Sequence, residues 1–266
     1  MGNEIDELKI YCGDDFFITD KIIVTHPTLR QIKDFGEAIY FNTVKTLTSV
    51  GADMKWQLYD YFNIDYTKIP DYELFIKILK PLLSGKNELA ETDDDINKEN
   101  NTDVHINPLQ LILKDINLAD FSEYKDEKND QIVLYNEKED IVIDKLIYLR
   151  IVDIVRKIHG FKRNNQLPGN ERTKMDLIED DRDEAMINAN KPYKSMLRSM
   201  VSAMSVYTGR IGDDSIWDIP IGQFLDNVHR AYKIEDAKHL MQGAYSGFAS
   251  LKGVDKKRLD WTGDLD

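Results

Sequence analysis

Residues 141–157, IVIDKLIYLRIVDIVRK, are the densest apolar run in the chain, and they restrict the fold more than any other stretch. Charges at Asp144, Lys145, Arg150, Asp153, Arg156 and Lys157 interrupt the run every few residues, so nothing here spans a membrane. Its apolar side chains are nevertheless too many for a solvated surface. What remains is a buried element at the centre of a water-facing protein. The spacing predicts a helix over 145–159, apolar around most of its girth, with Gly160 as the natural residue to close it. Just before it, 131–135 and 140–144 are joined by Asn136-Glu137-Lys138-Glu139, which predicts a hairpin leading into the helix.

The first quarter opens on strand signals. Leu8-Lys9-Ile10-Tyr11 alternates, Gly13-Asp14-Asp15 reads as a turn, and 16–18 with 21–24 supplies the returning strand, so an N-terminal β-hairpin is expected. His26-Pro27-Thr28 ends the extended stretch, and Pro27 suits the first turn of a helix beginning there. Leu29, Ile32, Phe35, Ile39, Tyr40, Val44 and Leu47 recur at helical spacing, with Gly36 as a kink. Helices are expected again at 53–61 and 70–83, where Pro70, Asp71 and Glu73 furnish the proline and acid of a first turn. Residues 109–113 read equally as helix or strand. The stretch 161–170 reads as a basic, Asn-rich loop.

The last hundred residues read as helices. Residues 171–188 are highly charged, whereas Tyr193, Met196, Leu197, Met200, Val201, Met204 and Tyr207 form a clean apolar stripe. After a break at 209–214, Ser215 or Asp218 is expected to cap a long helix reaching about Tyr245. Along it Ile221, Phe224, Leu225, Val228, Ala231, Tyr232, Ala237, Leu240, Met241 and Ala244 keep the 3.6 period. The fold class expected is α-dominated α+β, with an N-terminal β-hairpin and helices, a second small β-hairpin, and a C-terminal helical bundle. Composition shifts sharply at 85–107, GKNELAETDDDINKENNTDVHIN, which reads as an acidic mobile loop or linker. It divides 1–84 from 108–266, and the two parts either stand apart or share one composite domain.

Charge narrows the function. The 266 residues hold 35 Lys and Arg against 48 Asp and Glu, a net charge of −13. A surface this acidic repels phosphate, so neither nucleic acid nor an anionic membrane is an expected partner. The single cysteine, Cys12, allows no intrachain disulfide and no cysteine cluster for zinc. The opening MGNEIDELKIY is acidic where a signal peptide is basic, and Asp6 stands where N-myristoylation wants Ser or Thr. An intracellular location is expected.

Chemical motifs fail one by one. Gly85-Lys86 lacks the upstream glycine of a phosphate loop. An EF-hand beginning at Asp93 would place Lys98 at the glycine position and Val104 at the closing glutamate. Of His26, His105, His159, His229 and His239 none sits in a zinc-helix motif, and surface or cap positions are expected for them. Ser122-Glu123-Tyr124-Lys125 has no partner motif, and Gly243-Ala244-Tyr245-Ser246-Gly247 places its serine out of register for a nucleophile elbow. No catalytic residue, metal ligand or cofactor is expected, and the chain reads as a non-enzyme.

Binding is the better reading. Met196, Met200 and Met204 recur at i, i+4, i+8, a spacing that builds an adaptable apolar surface. Since Leu197 and Val201 share the stripe, an ordinary bundle core explains the same spacing. The partner-binding residues predicted are Tyr193, Met196, Leu197, Met200, Val201, Met204, Phe224 and Met241.

Several stretches are informative in their wording. VTHPTLRQIKDFGEAIYF at 24–41, QLYDYFNIDYTKIPDYELF at 57–75, NDQIVLYNEKEDIVIDKLIYLRIVDIVRKIHG at 129–160, SIWDIPIGQFLDNVHRAYKIEDAKHLMQGAYSGF at 215–248 and the late LDWTGDL resemble proteins of tailed phages of Gram-positive bacteria, in particular tail assembly chaperones. The resemblance implies a mostly helical, non-enzymatic protein. It would act in the host cytoplasm, coating the tape measure protein before tail-tube subunits polymerise round it. The implied partners are the tape measure protein or the tail tube protein, with self-association also open. The chain is longer than those chaperones and carries two β elements, which leaves a virion structural subunit (tail, connector or baseplate) as the alternative.

Overall fold

A computed structural model describes residues 5–84, 107–126, 131–248 and 250–265. The acidic stretch 85–107 therefore lies outside the described residues except for Asn107. Helix α7 (Lys145–His159) holds the centre. The Asp144 carboxylate accepts the Ile147 N–H at 2.8 Å, and Gly160 ends the helix in the left-handed conformation. Tyr148, Ile151, Val152, Ile154, Val155, Ile158 and His159 are buried, while Leu146 is 75% exposed. The buried face is thus a broad stripe, narrower than the apolar girth expected.

The chain reaches α7 through α1 (Glu7–Cys12), the two-residue strands β1 (Phe16–Phe17) and β2 (Ile23–Val24), α2 (Leu29–Phe35), α3 (Glu37–Thr48) and α4 (Lys55–Phe62). A continuous rod follows, made of α5 (Asp71–Leu74), a π-helical segment Phe75–Leu79 and α6 (Lys80–Leu83). Pro81 has no N–H to donate to the preceding turn, and the helix widens just before it, the Lys80 N–H reaching Phe75. Strands β3 (Ser122–Asp126), β4 (Gln131–Asn136) and β5 (Ile141–Ile143) form an antiparallel sheet that delivers the chain into α7. Helices α8 (Glu171–Ala189), α9 (Met196–Tyr207), α10 (Ile221–Tyr245) and α11 (Lys256–Leu259) complete the order. The result is an α-dominated α+β fold with two small antiparallel sheets.

Five local expectations are corrected. Residues 8–11 are helical rather than extended, because Asp6 accepts the N–H groups of Leu8 and Lys9 and a four-residue alternation cannot compete with that cap. The N-terminal hairpin therefore forms one segment later, with Phe16 opposite Val24. Thr28, not Pro27, starts α2, through a reciprocal capping box with Gln31. Neither Ser215 nor Asp218 caps α10. Asp213 caps a 3-10 turn over Asp214–Asp218, and α10 begins after Pro220. Residues 109–113 are neither helix nor strand but a tight series of turns, with Leu109, Ile112 and Leu113 buried. The Ile112 carbonyl accepts the Thr25 N–H at 3.0 Å beside β2.

The kink foreseen at Gly36 is a break between α2 and α3. Its φ of 110° is open only to glycine, which is why two helices rather than one bent helix result. The C-terminal helices do not form a bundle of their own. Leu197, Val201, Ile216, Ile221, Phe224, Leu225 and Val228 belong to the same apolar cluster as Val24, Leu29, Val44 and Ile151.

Candidate functional site

Helix α9 is held to the body along a narrow line. At its start the Ser195 hydroxyl accepts the Arg198 N–H at 2.9 Å. The Glu37 carboxylate, from the first turn of α3, accepts the N–H groups of Met196 and Leu197 at 2.7 and 2.8 Å. An acidic side chain from a distant segment thus supplies both the hydrogen bonds and the negative charge that a helix N-terminus favours. In the middle, Leu197 and Val201 enter the core at 3% and 7% exposure. At the end, the Tyr207 hydroxyl donates to Glu235 of α10 at 2.7 Å, and Lys238 reaches the same oxygen at 2.7 Å. Lys238 first and Tyr207 second hold the Glu235 carboxyl below its ordinary range, so the anchor is an anion at neutral pH.

Open clefts run along α9. Between α9 and α10 lies a groove of about 450 Å³, lined by Met200, Ala203, Met204 and Tyr207 on one wall and by Val228, Ala231 and Tyr232 on the other. Below the end of α9 it borders a cleft of about 300 Å³ floored by Ile216, Phe224 and Ile234. On the far side of α9 a cavity of about 580 Å³ opens against Lys33, Glu37, Ile216 and Trp217. The walls are apolar, the thioethers of Met200 and Met204 are half-buried, and Tyr232 is 70% exposed at the rim. Such a groove can accept the apolar stripe of another helix.

The predicted partner-binding residues fall into separate places. Met200 and Met204 line the α9–α10 groove. Leu197 and Val201, 3% and 7% exposed, border the cavity on the far side of α9, and Phe224 lies in the floor of the small cleft at 2% exposure, so none of the three lines the α9–α10 groove. Tyr193 and Met196 lie at the approach to α9, 53% and 44% exposed. Met241 lies on α10 beyond the end of α9, outside the groove. Glu37 and Glu235, which position α9, have no sequence signal, since only the folded chain brings them to the helix ends.

The histidine expectation is corrected for two residues. His26 is buried, its Nδ1 3.0 Å from the Asp14 carbonyl. His159 is wholly enclosed, with Nδ1 donating to the Val155 carbonyl at 2.7 Å and Nε2 facing the Tyr40 hydroxyl at 2.7 Å. Burial pushes His159 down to about 4, so it is neutral rather than a cation serving the α7 dipole. Among the described residues no group of three or more His, Cys, Asp and Glu side chains is placed to hold a metal ion. None of the described helices is long and apolar enough to cross a membrane.

Charge is divided unevenly along the chain. Residues 1–188 hold 24 Lys and Arg against 38 Asp and Glu, whereas residues 189–266 hold 11 against 10. The near-neutral part contains α9, α10 and the groove. The same part, residues 189–266, fits the family model described as YomV second domain, of a phage- and prophage-associated family. No curated protein and no solved structure matches the chain.

Proposed function

We propose that the chain is a non-enzymatic morphogenesis factor of a tailed phage, a tail assembly chaperone that holds the tape measure protein in the α9–α10 groove. The observation that carries this reading is the groove itself, lined by Met200, Met204, Val228 and Ala231 inside the segment that fits a phage-associated family model. A long helical client with apolar stripes needs such a surface, and unbranched thioethers adapt to stripes of varied sequence. Modest affinity per copy then suffices, because many copies engage one client and avidity supplies the rest. The net charge of −13 keeps the loaded complex dispersed. In this reading the protein acts in the host cytoplasm and binds neither nucleic acid nor membrane.

The test is co-expression with the tape measure and tail tube proteins of the same phage, followed by affinity capture and mass spectrometry of finished particles. Capture of the tape measure together with absence from particles is the expected result. Presence in particles at fixed stoichiometry would instead make the chain a virion structural subunit. Met200→Asp places a charge in the groove wall and should abolish capture while the protein stays folded. If a folded Met200→Asp variant still captures the client, the groove is not the docking site.

A further inference from the structure

We infer that the distal half of α10 is a self-association seam through which two copies of this chain pair antiparallel. Ile234, Lys238, Met241 and Tyr245 are spaced four, three and four apart, which places them on one stripe. The first member lies under the end of α9, where Ile234 lines the small cleft. Helix α9 stops at Tyr207, and α10 runs on to Tyr245. The other face of this half-helix is already covered by the tail, with Ala237 buried and Arg258 paired to Asp236 at 2.6 Å. Among the described residues, exposure rises along the stripe to its end, from 36% at Met241 to 83% at Tyr245.

Phe248 extends the stripe through an ordered cap. The Phe248 N–H donates to the Gly243 carbonyl at 3.0 Å and the Gly247 N–H to the Ala244 carbonyl at 3.1 Å, with Gly247 at a φ of 75°. This is a Schellman ending, in which the residue after the glycine normally packs on the side chain four positions before that glycine. Here that position is Gly243, which has no side chain, so Phe248 stands 93% exposed on a fixed backbone. The motif displays the ring instead of packing it.

Area argues for a second copy as the occupant, and charge permits it. Tyr245 and Phe248 with Met241 offer about 400 Å² on each copy at ordinary aromatic areas, so a symmetric pair covers about 800 Å² before the stems of Lys238 and Ile234 are added. That approaches the roughly 1,000 Å² of a weak, specific interface. Pairing two stripes about a two-fold axis at Met241 sets Tyr245 and Phe248 of each copy over the Ile234–Lys238 turns of the other. The seam lies in the near-neutral residues 189–266, so the contact itself carries little like-charge repulsion although each copy is at −13. The pairing rests on its own residues and stands whether or not the α9–α10 groove holds a tape measure.

Sedimentation equilibrium of the full chain from about 1 to 200 μM reads the pairing directly, in the range a small interface supports. The wild type should pass from one to two chain masses over this range. Y245D/F248D should stay at one, with the thermal midpoint unchanged because both side chains are exposed. F248A should weaken the dimer at least tenfold. In a C12S background, M241C should oxidise to a covalent dimer, whereas L8C on the exposed side of α1 should not. Added salt should tighten the dimer by screening the acidic bodies. A wild type of one mass throughout, a dimer retained by the folded double variant, or a dimer loosened by salt would each overturn the proposal.

Discussion

His159 should make the protein lose stability in mild acid by an amount that one substitution removes. Burial lowers it from 6.5 to about 4 in the folded state. Above pH 6.5 both folded and unfolded chains carry the neutral ring, and its contribution is fully present. Between 6.5 and 4 the unfolded chain takes up a proton that the folded chain refuses, so stability falls by up to about 1.4 kcal/mol per pH unit. Below 4 both states are protonated and the contribution is gone. The full loss is about 3 kcal/mol. The geometry gives the same sign, because Nδ1 already donates to Val155 and an added proton on Nε2 would turn toward the Tyr40 hydroxyl, whose own proton is held by burial. Urea unfolding at pH 7.5 and 4.5 measures the effect in wild type and His159→Gln. The drop between the two pH values should be smaller in the variant by about 2–3 kcal/mol. His26, lowered by its own burial, and the acidic surface contribute to both proteins and cancel in the comparison. Parallel pH slopes in the two proteins would refute the assignment of His159 as a buried neutral ring.

Four further outcomes follow from named contacts. Glu37→Ala removes the acceptor of two helix N–H groups and should cost about 1–2 kcal/mol, with faster hydrogen exchange at Met196 and Leu197. Glu37→Gln keeps an oxygen there and should recover more than half of that loss. Lys174 reaches Asp65 at 2.9 Å with its side chain only 11% exposed, so Lys174→Met should lower the unfolding free energy measured in urea by about 1–3 kcal/mol, and adding Asp65→Asn should restore part of it. Gly222→Ala would set a methyl 2.9 Å from His26 Nε2 and 3.3 Å from the Ile158 carbonyl. The crowding, about 1–3 kcal/mol, should outweigh the roughly 1 kcal/mol of helix preference and lower the melting temperature.

What was legible in the sequence is what local rules determine. The span 145–159 coincides with α7 because cap, period and terminal glycine agree there. The second hairpin was equally clear, yet its third strand, Ser122–Asp126, was not. SEYKD has no apolar face, and it becomes a strand only because β4 offers an open edge. The Met stripe was legible as a periodic face, but periodicity cannot say how deep a face is buried. Leu197 and Val201 are core while Met200 and Met204, one position before or three after them, line an opening. What decides is the position of α10, Glu37 and the 3-10 turn carrying Ile216. Those partners lie from 12 to 167 residues away in sequence.

The division of charge bears on where any partner can dock. Two bodies with 38 acids against 24 bases over their first 188 residues repel one another and repel acidic partners across a Debye length of about 8 Å at physiological salt. Apolar attraction acts only in contact and cannot draw an acidic partner through that field. A productive encounter with such a partner is therefore steered to the part of the surface where the field is weak, which is the near-neutral 189–266. One apolar opening, about 480 Å³ between Met54, Tyr61, Phe62, Ile76, Leu118 and Phe121, lies in the acidic part. The α9–α10 groove and the Met241–Phe248 stripe lie instead within the near-neutral residues. An acid placed in the groove should therefore act twice, by removing apolar contact and by extending the repulsive field over a surface otherwise clear of it. Met200→Asp should slow association as well as speed release, and high salt should recover the association rate alone. A Met200→Gln variant, which adds polarity without charge, should leave the association rate near wild type and raise only the dissociation rate.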